Sequence, residues 1–152
     1  MLAMAALTVS AGAQPRTTAS PQLEIRLMAA LSPSAGALGG IGANVRAGYY
    51  ARLGIALEAG AVQRADRWES RQRVEGVARF MFDPFAERPR GFYAGAGLGA
   101  ERRGPSDVRG LLLGVVGMEG RATGRIVPSV ELVVGGGTRL GVVLRARRLQ
   151  GR

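Results

Sequence analysis

The sequence predicts an all-β chain that closes as an eight-stranded antiparallel up-and-down transmembrane β-barrel. Three observations predict it. Apolar side chains recur at every second position through eight segments, which is the period of a strand and not of a helix. The segments run to about ten residues, beyond the ~5–6 of a globular strand and close to the ~9–11 that a tilted strand needs to cross a bilayer. Short polar or glycine-rich connections separate consecutive segments, as sequential hairpins require.

In residues 22–31, Leu23, Ile25, Leu27, Ala29 and Leu31 share one face, and Glu24, Arg26 and Met28 share the other. Residues 41–50 set Ile41, Ala43, Val45, Ala47 and Tyr49 against Asn44, Arg46 and Tyr50. Only Ala51 and Arg52 then intervene, as a tight turn. Residues 53–62 set Leu53, Ile55, Leu57, Ala59 and Ala61 against Gly54, Glu58 and Gly60, and the polar stretch 63–71 reads as a longer loop. Residues 72–82 set Val74, Ala78, Phe80 and Phe82 against Arg73, Glu75 and Arg79. Residues 92–101 set Phe92, Ala94, Ala96, Leu98 and Ala100 against Tyr93, Gly95, Gly97, Gly99 and Glu101. Residues 108–118 are strand-like without a defined facing. Residues 126–135 set Ile126, Val130, Leu132 and Val134 against Ser129 and Glu131. Residues 139–148 close the series, with Leu140, Val142, Leu144 and Ala146 opposite Gly141, Arg145 and Arg147.

The glycines of 92–101 admit a second reading, as a phosphate-cradling loop. A dinucleotide fingerprint needs its third glycine one place later, then a helix. Here the spacing is two and two, and Glu101-Arg102-Arg103-Gly104-Pro105 follows as a turn. The glycines therefore share one strand face. In a small barrel that face points inward, where a neighbouring long side chain needs the room.

Composition removes several functions. With no His, Cys or Lys among 152 residues, His-assisted nucleophiles, thiolate metal sites and P-loop or Schiff-base lysines are excluded. No nucleophile–base pair stands out among Ser, Thr, Asp and Glu, so no catalytic, metal or cofactor-binding residue is assigned and no enzyme activity is expected. The net charge of +10 comes from dispersed arginines with 5% aromatics, which does not match a nucleic-acid-binding face. Residues 1–13 are apolar and end in Ala11-Gly12-Ala13, the pattern of a secretory signal peptide, although the usual positive start is missing. The true start is therefore expected upstream. Residues 14–21 read as a flexible leader and 22–150 as the barrel domain.

Two segments carry a family resemblance. GFYAGAGLGAE, residues 91–101, resembles the aromatic-start, glycine-alternating strand of small bacterial outer-membrane β-barrel proteins. The last strand, Arg139 to Ala146, is similar to their C-terminal assembly signal, though it lacks a terminal aromatic and Arg147 to Arg152 follow it. The resemblance implies outer-membrane location and handling by the barrel-assembly machinery, and names no single activity. With both termini periplasmic, Tyr49, Tyr50, Phe80, Phe82, Phe85, Phe92 and Tyr93 all fall at the periplasmic end as one aromatic girdle, and Trp68 stands alone on an outer loop.

The inward face is expected to hold Glu24, Arg26, Arg46, Glu58, Arg73, Glu75, Arg79, Glu101, Glu131, Arg145 and Arg147 as a Glu–Arg network that plugs the lumen. The same residues admit a narrow ion path. Arg64, Arg67, Arg71, Arg102, Arg103 and Arg109 are expected on outer loops, where arginine forks suit the phosphates of lipopolysaccharide. The function expected is a structural, envelope-integrity or adhesion role in the outer membrane. The alternative is a soluble lipocalin-like barrel that lines its calyx with the apolar face and binds an apolar ligand.

Overall fold

The computed structural model describes residues 21–83, 90–104 and 107–146. The signal-like segment 1–13, the leader apart from Pro21, Phe85 and Arg147 lie outside the described residues. Eight strands follow in order: β1 (Gln22–Ser32), β2 (Gly36–Ala47), β3 (Ala51–Arg64), β4 (Arg67–Met81), β5 (Gly91–Arg103), β6 (Asp107–Glu119), β7 (Ile126–Val134) and β8 (Thr138–Ala146). Each pairs antiparallel with its neighbours in sequence, and β1 pairs with β8, so the sheet closes as a barrel. Gln22 and Ala146 share one end, called lower here, with residues 48–50, 82–83, 90 and 120–125. Residues 33–35, 65–66, 104 and 135–137 lie at the upper end.

The period-two pattern sorts the side chains as a membrane barrel needs. The outside is apolar: Leu23, Ile25, Leu27, Ile55, Leu98 and Leu112 are each 63–78% exposed. The inside holds the glutamates and arginines. A calyx for an apolar ligand needs the reverse arrangement, so the faces exclude the soluble alternative. The facing of β6 is now defined, with Leu111, Leu113 and Val115 inward and Leu112 and Val116 outward.

Several boundaries differ from expectation. The lower turn between β2 and β3 is Gly48-Tyr49-Tyr50, and Ala51 and Arg52 already pair with Ala47 and Arg46. The stretch 63–71 is no long loop. A two-residue turn at Ala65 and Asp66, with φ of 44° and 63°, joins strands paired up to Arg64↔Arg67. Polar residues there extend the hairpin because, above the lipid belt, a strand no longer needs an apolar face. The result is an uneven rim. Gly36 is the last β2 residue paired with β3, at Val62, and Arg103 the last β5 residue paired with β4, at Arg71, so Gln63–Ser70 rise above both neighbours. Likewise β6 meets β7 only from Gly114 downward, which leaves Asp107–Leu113 paired to β5 alone.

The aromatics at the lower end also divide. Tyr50 stacks on Phe80 with centroids 5.6 Å apart, and Phe80 meets Phe82 edge-on at 5.6 Å. With exposed Tyr49 and Phe92 they form an outward band. Tyr93 does not join it. Its position in the alternation turns it inward, where it is 2% exposed.

Inside, large residues sit beside glycines on the next strand. Tyr93 faces Gly117, and a Cβ added there would meet its ring at 2.4 Å. Met28 faces Gly141 in the same way, with its sulfur at 2.4 Å. Gly95, Gly97 and Gly99 likewise face inward, each within 3.0 Å of backbone on β4 if a Cβ were added. Gly117→Ala is therefore expected to destabilise the barrel by about 1–3 kcal/mol through overpacking. Gly76→Ala, on the outer face with no atom nearer than 4.0 Å, is expected to stay within about 0.5 kcal/mol of the parent. Urea unfolding of the lipid-refolded proteins measures both.

Candidate functional site

The interior charges are placed by strand register. Directly opposed residues run around the wall as Arg26, Gly40, Glu58, Arg73, Glu101 and Arg109, from β1 to β6. Charge alternates along that row, with one glycine where Glu58 leans across. Opposite charges on facing positions of paired strands attract, and here the wall excludes water.

In the lower part of the lumen the Arg145 guanidinium bridges three carboxylates. Its Nε lies 2.7 Å from Glu24, its Nη2 2.6 Å from Glu131 and its Nη1 2.6 Å from Glu119. The Tyr93 hydroxyl donates to Glu131 at 2.7 Å and accepts from Arg145 at 3.1 Å, and the guanidinium carbon lies 5.1 Å from the tyrosine ring centroid. Asn44 donates its amide to Glu24 at 2.8 Å. Arg79 stands 3.3 Å from Glu131. Arg52 pairs with Glu119 at the lower mouth.

Arg26 connects this group upward, 3.1 Å from Glu131 and 2.8 Å from Glu58. Arg139 then joins Glu58 to Glu75. Arg73 lies 3.7 Å from Glu75, pairs with Glu101, and donates to the Gly135 and Gly136 carbonyls at 3.4 and 3.2 Å. Glu101 collects Arg71 at 3.7 Å, Arg109 at 3.3 Å and also Arg103. An unbroken chain of alternating charge therefore runs from Arg52 and Glu119 at the lower mouth to Arg103 and Arg109 at the upper one.

Of the residues expected inside, Glu24, Arg26, Glu58, Arg73, Glu75, Arg79, Glu101, Glu131 and Arg145 come together, all buried. Arg46 does not. It has the inward parity but lies at the lower end of β2, below the network and exposed. The arginines expected on outer loops separate into three groups. Arg71 lies inside the barrel, 3% exposed, because β4 begins at Arg67 and carries it inward. Arg103 also turns in toward Glu101, with 13% of its side chain exposed, and Arg109 follows with 41% exposed. Arg64, Arg67 and Arg102 remain exposed at the upper end.

Sequence reasoning missed Arg139, the centre of the network, along with Arg52 and Glu119. The signal for Arg139 was present: it shares parity with Gly141, Val143 and Arg145, one step further up β8. Among the described residues no cluster of three or more potential ligands could hold a metal ion.

No protein-family model matches the chain, and no curated protein matches it in sequence. Solved structures do match in fold. Neisserial surface protein A aligns over 84% of this chain and 96% of its own, with a TM-score of 0.65 and 17% identity. The N-terminal β-barrel domain of Pseudomonas aeruginosa OprF aligns over 82% and 96%, with a TM-score of 0.55 and 15% identity. A de novo designed transmembrane β-barrel covers 88% of this chain and 98% of itself, with a TM-score of 0.57 and 11% identity. The shared property is the eight-stranded transmembrane barrel itself.

Removing one member of a buried ion pair strands its partners, at a cost of about 3–5 kcal/mol. Arg139→Met is expected to destabilise the barrel by that amount, since it leaves Glu58 and Glu75 facing each other. The triple variant Arg139→Met, Glu58→Gln, Glu75→Gln is expected to recover most of the loss, measured by the same urea titration.

Proposed function

We propose that this chain is a bacterial outer-membrane β-barrel with a structural role in the envelope, its lumen closed by the Glu–Arg network. The observation that carries the reading is the inverted polarity of the wall: leucine, isoleucine and valine outside, paired charge inside. An arginine on the lipid face costs about 2–4 kcal/mol at the bilayer midplane, so the sorting suits a bilayer. The lumen carboxylates are each committed to arginine, which leaves none free for acid–base work and favours a structural over a catalytic role. Gln22 and Ala146 then lie toward the periplasm, and the last strand, Thr138–Ala146, is what the barrel-assembly machinery would read.

The closed-lumen reading rests on burial. Glu101 and Glu131 are 0% exposed, and Glu75 and Arg139 are 1% exposed. A narrow ion path through the same residues would require the pairs to part. In a planar bilayer the refolded protein is expected to show no conductance above the bare membrane, and discrete steps would overturn the closed lumen. On a gel the unboiled protein is expected to run ahead of the boiled one. A folded state in plain buffer without detergent would overturn the membrane reading.

Arg67 and Arg102, exposed at the upper end, are suited to lipopolysaccharide phosphates, through paired donors of fixed geometry. Replacing Arg67 and Arg102 by Gln is expected to abolish the extra thermal stability that lipopolysaccharide confers over phosphatidylcholine. Replacing Arg46, at the other end, is expected to leave it intact. Melting in the two lipids decides the matter.

A further inference from the structure

Above Arg71 and Arg103 the sheet splits. β5 ends there and turns at Gly104, which has a φ of 59°, while β4 continues upward through Ser70, Glu69 and Trp68 with no strand on that side. The gap is a cleft of about 430 Å³, lined by Arg64, Trp68, Glu69, Ser70, Arg103, Gly104 and Asp107. It opens above the lumen network and meets it at Arg103, which reaches down to Glu101.

Its chemistry is specific in three ways. Arg103 is already paired with Glu101, and the lining sets Arg64 against Glu69 and Asp107, so the cleft carries no excess of positive charge to draw a phosphate. Trp68 is 68% exposed, a large flat apolar surface at the polar end of the barrel. The β4 edge and the Ser70 hydroxyl add donors and acceptors without formal charge. A ligand that suits all three has an apolar face to lie on an indole and a rim of hydroxyls for carboxylates and guanidinium groups. A pyranose ring has both. The unpaired edge spans Arg67–Ser70, too short to hold an added peptide strand of the usual ~5–6 residues.

We propose that the cleft between the upper ends of β4 and β5 binds a neutral saccharide, stacked on Trp68 and held through its hydroxyls by Glu69, Asp107 and Arg103. The site extends the barrel reading, since Arg67–Ser70 continue above the last β4–β5 pair. The sugar has two possible sources: a free glycan, or the sugar of a glycolipid in the surrounding leaflet.

Trp68 is the chain's one tryptophan, so its emission reports the cleft directly. The full chain refolded in phosphatidylcholine nanodiscs is titrated with maltoheptaose and with inositol hexaphosphate. In a second arm it is placed in nanodiscs containing lipopolysaccharide, before and after enzymatic removal of the lipid phosphates. A saturable change with maltoheptaose assigns a free glycan. A change seen only with the glycolipid, and surviving dephosphorylation, assigns the neighbouring lipid. A response to the hexaphosphate alone, one lost with the lipid phosphates, or none in either arm overturns the proposal. Glu69→Gln with Asp107→Asn is expected to weaken binding about tenfold or more, as loss of charged acceptors should. Unchanged affinity in that variant also overturns it. Gel mobility on the same samples reports the barrel independently, so failure of the site and failure of the membrane reading are distinguishable.

Discussion

Charge enclosed by a wall that faces lipid is the constraint on which this structure depends. The strands must turn apolar side chains outward, because hydrocarbon offers nothing to a guanidinium or carboxylate. Alternation then forces every other residue into a narrow lumen, where a charge is tolerated only beside its opposite. Pairing is the condition for folding, and register is what delivers it. A slip of one residue in any strand would turn its charges to the lipid and its leucines to the lumen. Arg26, Glu58, Arg73 and Glu101 meet across four strands because the hydrogen-bond ladder puts them at one level. The ion pairs thus act less as added stability than as a statement of which register is correct. Buried pairs often gain little over apolar replacements, so specificity is the better account of their presence here.

The same constraint explains the glycines. Arginine, tyrosine and methionine are too large to stand on every inward position of an eight-stranded barrel. Glycine on the facing strand gives each the width it needs, as Gly117 does for Tyr93 and Gly141 for Met28. Tyr93 uses that room to bring its hydroxyl between Glu131 and Arg145. A stretch such as Gly95-Ala96-Gly97-Leu98-Gly99 is therefore half packing device and half lipid face, and the phosphate-loop reading fails on the same geometry.

Much of this was legible in the sequence because period two is a strong signal wherever both faces carry distinct chemistry. Leu23 to Leu31 and Val74 to Phe82 could be assigned residue by residue. The signal fades where one face loses its character. β6 reads LLLGVV, apolar on both sides, because Leu111, Leu113 and Val115 line the lumen with aliphatic surface beside the charged network. Above the lipid belt the outer face is free to be polar, so Gln63–Ser70 resemble a loop and Arg71 a rim residue. Tyr93 resembles its aromatic neighbours in sequence, but its parity with Gly95 and Glu101 turns it inward. Arg139 begins the terminal motif, and its parity with Arg145 puts it in the lumen. In each case parity, not composition, decides the facing.

The uneven rim decides where recognition can occur. In the lumen the glutamates face arginines, and the lower network has tyrosine and asparagine as further partners, so the carboxylates are already paired with charge of the opposite sign. The belt offers only aliphatic surface. At the upper end, however, β3 to β6 outlast their neighbours, and the ladder stops at Arg71↔Arg103 while β4 goes on. Backbone groups, carboxylates and an exposed indole meet there without a sheet to complete. A barrel whose walls were all of one height would close its ladder at a common level and leave no such gap. The stagger that positions the ion pairs thus also raises two hairpins above the rest, and the cleft between the upper ends of β4 and β5 follows from it.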